Sequence, residues 1–228
     1  MSVDDAIKIM DALTKLTAVL AWPMLFAFFL VRFSPALKAF FESLSEFSVK
    51  GAGFEASAKR KQAEAVAALV AAAAKPDSGR SSSPGLDARE AVDLVQYAVT
   101  PRLLRKAAQA NILWVDDRPE NNTYERQSLE ALGINFVLAT STEQALAKLR
   151  DSKFNAIISD MGRPSDPRAG YTLLDQLRQS GNHTPFVIYA SSNSPEHKVE
   201  ARQHGALGCT NRASELFEYV VRAVESST

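Results

Sequence analysis

The stretch "ILWVDDRPEN", Ile112–Asn121, runs four apolar residues straight into two adjacent carboxylates, Asp116 and Asp117. A second apolar run, "AIIS", leads into a third, Asp160. Like charges held within a few ångströms of one another are costly unless something positive shares them. A hard divalent cation such as Mg2+ suits such a donor set, because it takes one or two carboxylates and keeps several waters. The bland alternative has one aspartate capping the following helix and the other facing solvent. Asp160 at the end of a further strand weighs against it.

Those carboxylates need elements to hold them. Strand-like runs recur as "ILWV", "INFVLA", "NAIIS", "PFVIYA" and "ALGCT". Helix-like runs lie between them, over Glu120–Leu132, Thr142–Asp151, Tyr171–Ser180, Pro195–His204 and Ala213–Glu225. Thr142, with Glu143 and Gln144 after it, and Ser194 before Pro195 read as N-caps. Five β–α units of this size predict an α/β fold, a five-stranded parallel doubly wound sheet over residues 111–228. Ligands bind such sheets at the carboxyl ends of the strands, where Asp116, Asp117 and Asp160 all fall.

Upstream, "LTAVLAWPMLFAFFLV" carries no charge between Lys15 and Arg32. Its sixteen residues span roughly 24 Å as a helix, and Leu13 and Phe33 with snorkelling flanks extend the reach. Early aspartates Asp4, Asp5 and Asp11 argue against a cleaved signal peptide. An all-round apolar surface argues against an ordinary core helix. A single membrane-spanning helix over 13–33 is therefore expected. The basic residues that follow, Arg32, Lys38, Lys50 and Lys59–Lys61, put the C-terminal side in the cytosol, which makes the chain a single-pass protein of the inner (cytoplasmic) membrane.

Residues 34–75 read as a juxtamembrane segment. Ser34-Pro35 starts a helix with an apolar stripe of Leu37, Phe40, Phe41, Leu44 and Phe47. "SVKGAGFEAS", Ser48–Ser57, reads as a small strand-turn-strand, and "AKRKQAEAVAALVAAAAK" as an Ala-rich helix, either a self-associating stalk that would make a homo-oligomer or a solvated spacer. Residues 76–88, "PDSGRSSSPGLDA", have the composition of a flexible linker. Residues 89–110 form a helical lead-in, with Thr100-Pro101 opening its second helix.

Composition removes several function classes. The chain has 26 basic and 26 acidic residues, and residues 111–228 carry twelve against fifteen, so no basic face for nucleic acid is expected there. A single cysteine, Cys209, excludes an intrachain disulfide, fits a reducing compartment and reads as a small apolar side chain on a late strand. No G-x-G-x-x-G follows a strand, and there is no Walker loop, H-E-x-x-H, G-x-S-x-G or C-x-x-C. His183, His197 and His204 lack ligand spacing. An independent metal-dependent hydrolase would need a general base that the sequence does not offer.

"ILWVDDRPEN", then "AIISDMGRP" and "GYTLLDQLR", resemble the receiver domain of two-component response regulators, over roughly residues 111–226. The resemblance implies a flavodoxin-like domain in which Asp160 accepts a phosphoryl group from a histidine kinase. Asp116 and Asp117, with Asp160 and the backbone carbonyl of Gly162, would hold Mg2+, and Pro164 matches the family's proline. A metal there neutralises the transferring group and aligns it with the carboxylate nucleophile.

The same alignment exposes departures. The family's Thr or Ser position holds Ala190, with Ser191 and Ser192 next in line to supply a hydroxyl. The family's lysine position holds Arg212, followed by Ala213 in place of proline, and Cys209 stands at the aromatic switch position. The loop "DMGRPSDPRAG" is two residues longer, and its Arg163 and Arg168 read as solvated, the alternative being contact with a phosphate-bearing ligand. Two functions follow. One is a membrane-anchored receiver phosphorylated on Asp160, whose only chemistry would be gain and loss of its own phosphoryl group. The other is a pseudo-receiver that senses a protein partner or small ligand and drives assembly through its N-terminal segment.

Overall fold

A computed structural model describes residues 52–74, 84–192 and 194–227. The expected membrane span at 13–33 and the amphipathic stripe at 37–47 lie outside those residues. Among the described residues no helix is long and apolar enough to cross a membrane. Gly53–Thr228 forms one compact unit.

Among the described residues three helices precede the sheet: α1 (Ala52–Ala73), α2 (Pro84–Ala98) and α3 (Pro101–Ala107). Then come β1 (Asn111–Val115), a 3-10 turn (Pro119–Asn122), α4 (Thr123–Glu130), β2 (Asn135–Ala139), α5 (Thr142–Asp151) and β3 (Ala156–Ser159). The chain closes with α6 (Ala169–Gln179), β4 (Phe186–Tyr189), α7 (Pro195–Gln203), β5 (Gly208–Thr210) and α8 (Ala213–Ser226). The strands are all parallel, in the order β2-β1-β3-β4-β5. Strand order reverses beside β1, so the β1/β3 boundary is a topological switch point and opens a crevice at the carboxyl ends.

Side chains on a strand alternate between faces, and the two cores divide accordingly. Ile112, Trp114, Ile158, Val187 and Tyr189 face a layer holding Leu129 of α4 and Leu216, Phe217 and Val220 of α8. Leu113, Val115, Ile157, Phe186 and Ile188 face Ala145 of α5, Leu173, Leu174 and Leu177 of α6, and Ala201 of α7. Trp114 is fully buried and meets Phe136 and Tyr189 edge-on. Cys209 is buried in the second core, as its apolar character predicts.

The lead-in belongs to the first of these cores. Ala65, Val66, Leu69 and Ala72 of α1, Val95 of α2 and Leu103, Leu104 and Ala107 of α3 are buried in it. One face of the Ala-rich helix is thus packed into the core rather than solvated. Gln62 Nε2 donates to the Val99 carbonyl at 3.2 Å and Lys61 Nζ to the Leu132 carbonyl at 3.3 Å. The Lys61 contact falls beside Gly133, whose φ of 104° turns the chain out of α4 in a conformation that L side chains resist. Lys106 Nζ of α3 donates to the Glu225 carbonyl at 2.6 Å, placing a cation at the negative end of α8.

Other boundaries also differ from expectation. From Ala52 onward the "strand-turn-strand" is helix, because Ala, Glu and Lys favour helix strongly enough to absorb Gly53 in the first turn. α2 begins at Pro84, inside the stretch expected as linker, with proline at the position where its missing N–H costs nothing. The N-cap of α5 is Ser141, whose Oγ accepts from Gln144 N at 3.2 Å, and not Thr142. Thr100 and Ser194 cap α3 and α7 as expected.

Candidate functional site

β1 and β3 end side by side, and their last hydrogen bonds hold the acidic residues in place. Asp116 N donates to the Ala139 carbonyl at 2.9 Å, and Asp160 N to the Val115 carbonyl at 3.0 Å. Both aspartates are thereby fixed one residue beyond a buried strand. Carboxylate oxygens of Asp116, Asp117 and Asp160 lie within 4.8 Å of one another. Asp116 is 8 % exposed, its Oδ1 accepting from Arg118 N at 2.7 Å and its Oδ2 from Asn122 Nδ2 at 2.6 Å. The turn "DRPENN" therefore orients the first carboxylate.

The electrostatics are strained. Burial pushes the Asp160 carboxyl up to about 7, with the neighbouring charges of Asp116 and Asp117 adding to the shift. Burial raises Asp116 as well, and Asp117 reinforces it. Arg118 Nε lies 3.8 Å from Asp117 Oδ2, but its side chain is 70 % exposed and its charge is screened by water.

The second cation comes from the loop after Asp160. Arg163, expected to be solvated, is buried at 8 % exposure. An antiparallel bridge pins its backbone, with Arg163 N donating to the Asp166 carbonyl at 2.9 Å and Asp166 N to the Arg163 carbonyl at 3.0 Å. Its Nη1 donates to Thr142 Oγ1 at 2.9 Å and its Nη2 to Ser159 Oγ at 2.6 Å. Nη2 also lies 2.8 Å from Asp160 Oδ1. That contact is one of charge without hydrogen-bond alignment, since Asp160 Oδ1 and Arg163 Nε are both buried with no hydrogen-bond partner.

This arrangement fits a divalent cation. Three carboxylates face one buried guanidinium, so positive charge is in deficit, and Oδ1 of Asp160, whose 2.8 Å neighbour Arg163 Nη2 is not aligned on it as a hydrogen bond, keeps lone pairs that a metal could use.

The remaining site residues lie as follows. Gly162 is exposed in the loop two residues past Asp160, and a Cβ there would come within 3.2 Å of the Pro167 carbonyl. Ala190 follows β4 directly and packs on the second core. Ser191 is exposed and its carbonyl accepts from Asn211 Nδ2 at 3.1 Å, while Ser192 Oγ is 2.7 Å from His197 Nδ1. Arg212 reaches back to the lead-in, where Nη2 bonds Glu90 of α2, and Nη1 lies 3.7 Å from Glu215 Oε1. Arg168 is exposed, pairs with Glu200 at 2.6 Å and lies over the Tyr171 ring. Arg163, not Arg212, is thus the cation in ion-pair contact with Asp160.

Three contributors escaped the sequence reading: Arg163 as a buried ion pair, and the hydroxyls of Ser159 and Thr142 that hold it. A fourth is Gly170 at the start of α6. A Cβ there would sit 2.6 Å from the Asp160 carbonyl, so the close approach of α6 to the site requires glycine.

Comparison with known proteins bears on this site. The profile of the family described as "Response regulator receiver domain" matches residues 112–218. The transcriptional regulatory protein ZraR of Escherichia coli K12 is 31 % identical over 97 residues, covering 42 % of this chain and 22 % of that protein. ZraR of Salmonella typhimurium gives the same figures. The chain thus spans about a fifth of the length of these relatives. Among solved structures, the Francisella response regulator 1452 receiver domain is similar at 23 % identity and a TM-score of 0.47, over 52 % of this chain and 99 % of that one. The chemotaxis response regulator CheY4 of Vibrio cholerae is similar at 26 % identity and a TM-score of 0.43, over 49 % and 98 %.

Proposed function

We propose, from the match of residues 112–218 to the response regulator receiver domain family, that the chain is a membrane-anchored signalling protein phosphorylated on Asp160. The observation that carries this reading is the cluster of Asp116, Asp117 and Asp160 at the carboxyl ends of β1 and β3. A carboxylate oxygen of Asp160 attacks the phosphorus of a phosphohistidine. The P–N bond breaks, the imidazole keeps the electron pair and takes a proton, and an aspartyl phosphate forms. Asp116, Asp117, Asp160 and the Gly162 carbonyl would hold Mg2+, which supplies charge neutralisation of the transferring group when bound. Asn122 and the Arg118 amide orient Asp116 for that task. Arg212, once released from Glu90, and the Ser191 hydroxyl would meet the new phosphoryl oxygens. Anchorage through residues 13–33, in the cytoplasmic membrane with the receiver in the cytosol, rests on the uncharged segment between Lys15 and Arg32.

The test is incubation of the full chain, in detergent, with Mg2+ and acetyl phosphate, read by intact mass beside Asp160→Asn. One phosphoryl group gained by the wild type and absent from the variant supports the reading. An unchanged mass in both proteins overturns it.

A second reading is favoured by one observation, the ion pair of Arg163 with the acceptor. A pseudo-receiver would keep that pair permanently and use the face for a protein or ligand, assembling through its N-terminal segment. It predicts no phosphoryl gain under any donor.

A further inference from the structure

We propose that Arg163 is a resident counter-ion of the acidic pocket that competes with a divalent cation, so that the hold of Thr142 and Ser159 on its guanidinium sets the affinity for metal. The inference rests on the reading that Asp116, Asp117 and Asp160 hold such a cation.

The geometry points this way at each step. The Arg163 side chain is 4 % exposed, so its charge acts on the pocket with little screening by water. Its placement is imposed from outside the carboxylates. The Arg163–Asp166 bridge fixes the backbone, Thr142 fixes Nη1 and Ser159 fixes Nη2. A guanidinium positioned by a carboxylate would offer it aligned N–H groups in a fork. Here the 2.8 Å approach to Asp160 Oδ1 lacks that alignment, and both Oδ1 and Nε remain orphaned. Two hydroxyls thus hold a positive charge against the acceptor, in the region a metal coordinated by Asp160 would occupy. A cation arriving there meets repulsion from a fixed charge that cannot swing out to solvent without giving up both hydroxyl bonds.

Arg118 lies 3.8 Å from Asp117 but is 70 % exposed, while Lys198 pairs with Glu215 at 3.0 Å, Arg168 with Glu200 at 2.6 Å, and Arg212 with Glu90. Arg163 therefore differs from the rest in being buried against the acceptor. It is a positioning residue whose effect is electrostatic, so its test must separate charge from packing.

Mn2+ binding to the full chain in detergent, followed by titration calorimetry and by the spin resonance of free Mn2+, makes that separation. Arg163→Met, which keeps length and removes charge, is expected to bind Mn2+ about tenfold more tightly than the wild type, equivalent to ~1.4 kcal/mol. Arg163→Lys, which keeps the charge, should return affinity toward the wild-type value. Equal and measurable affinity in wild type and Arg163→Met overturns the competition while leaving the metal site standing. Absence of Mn2+ binding in both overturns the metal reading, and this inference with it. Should Arg163→Met not fold, Thr142→Val combined with Ser159→Ala frees the guanidinium and keeps the charge. Tighter Mn2+ binding by that variant supports the competition, and unchanged affinity overturns it.

Discussion

Asp160 makes the domain's stability depend on pH in a direction opposite to that of most carboxylates. Its folded value of about 7 stands above the ordinary 3.8, so between those limits the folded protein holds a proton that the unfolded chain has lost. The associated stability is fully present below pH 3.8 and is lost as pH rises through about 7. In chelator, the melting temperature should fall across that window, and Asp160→Asn should flatten the fall. Parallel profiles for the two proteins would assign the dependence to other groups. Mg2+ should flatten the profile too, since a bound cation stabilises the ionised form. At this scale the sequence was informative about the carboxylates and silent about the cation. A strand that ends on an acid announces itself, because apolar runs rarely carry charge at their ends without purpose. An arginine among Gly, Pro, Ser and Asp has the surroundings of a solvated loop. Its burial arises only when the loop bridges Arg163 to Asp166 and closes over Ser159.

Two element ends decide how well the site is built. The start of α6 lies against the backbone of Asp160 and Met161, with Gly170 N donating to the Met161 carbonyl at 2.9 Å. Gly170→Ala drives a methyl group into the Asp160 carbonyl, and at least one element must shift. Overpacking of this kind costs about 1–3 kcal/mol. The denaturant midpoint should drop accordingly, and phosphorylation from acetyl phosphate should slow more than the stability loss accounts for. An unchanged midpoint would mean that α6 yields freely. At the start of α5, Ser141→Ala removes the cap and should cost about 0.5–2 kcal/mol in the same assay. The strands and helices around these ends were readable because their apolar periods of 2 and 3.6 are strong. The misplaced cap shows the limit: adjacent Ser141 and Thr142 can each cap, and the folded chain gives Thr142 instead to Arg163.

The whole molecule extends beyond the matched domain. Leu103 is fully buried in the core that α8 and the face of β1 share, and Leu103→Ala should destabilise the α/β domain by about 2–5 kcal/mol although it lies outside the matched residues 112–218. Thermal unfolding followed by Cys209 reactivity gives the measurement, since burial shields that thiol and pushes its pKa above the ordinary value, which disfavours the reactive thiolate. Loss of protection at the wild-type temperature in Leu103→Ala would show the lead-in to be dispensable. None of this was legible in α1, because alanine carries too little area to write an apolar stripe. Only the folded contacts of Ala65, Val66, Leu69 and Ala72 reveal which side is inner. The shared core gives the protein a mechanical character. Tension entering through α1 loads a helix fastened by Val66, Leu69, two alanines and the reach of Lys61 and Gln62 to backbone carbonyls. That helix should peel at low force while the five strands stay seated, so α1 is a fuse in series with the sheet.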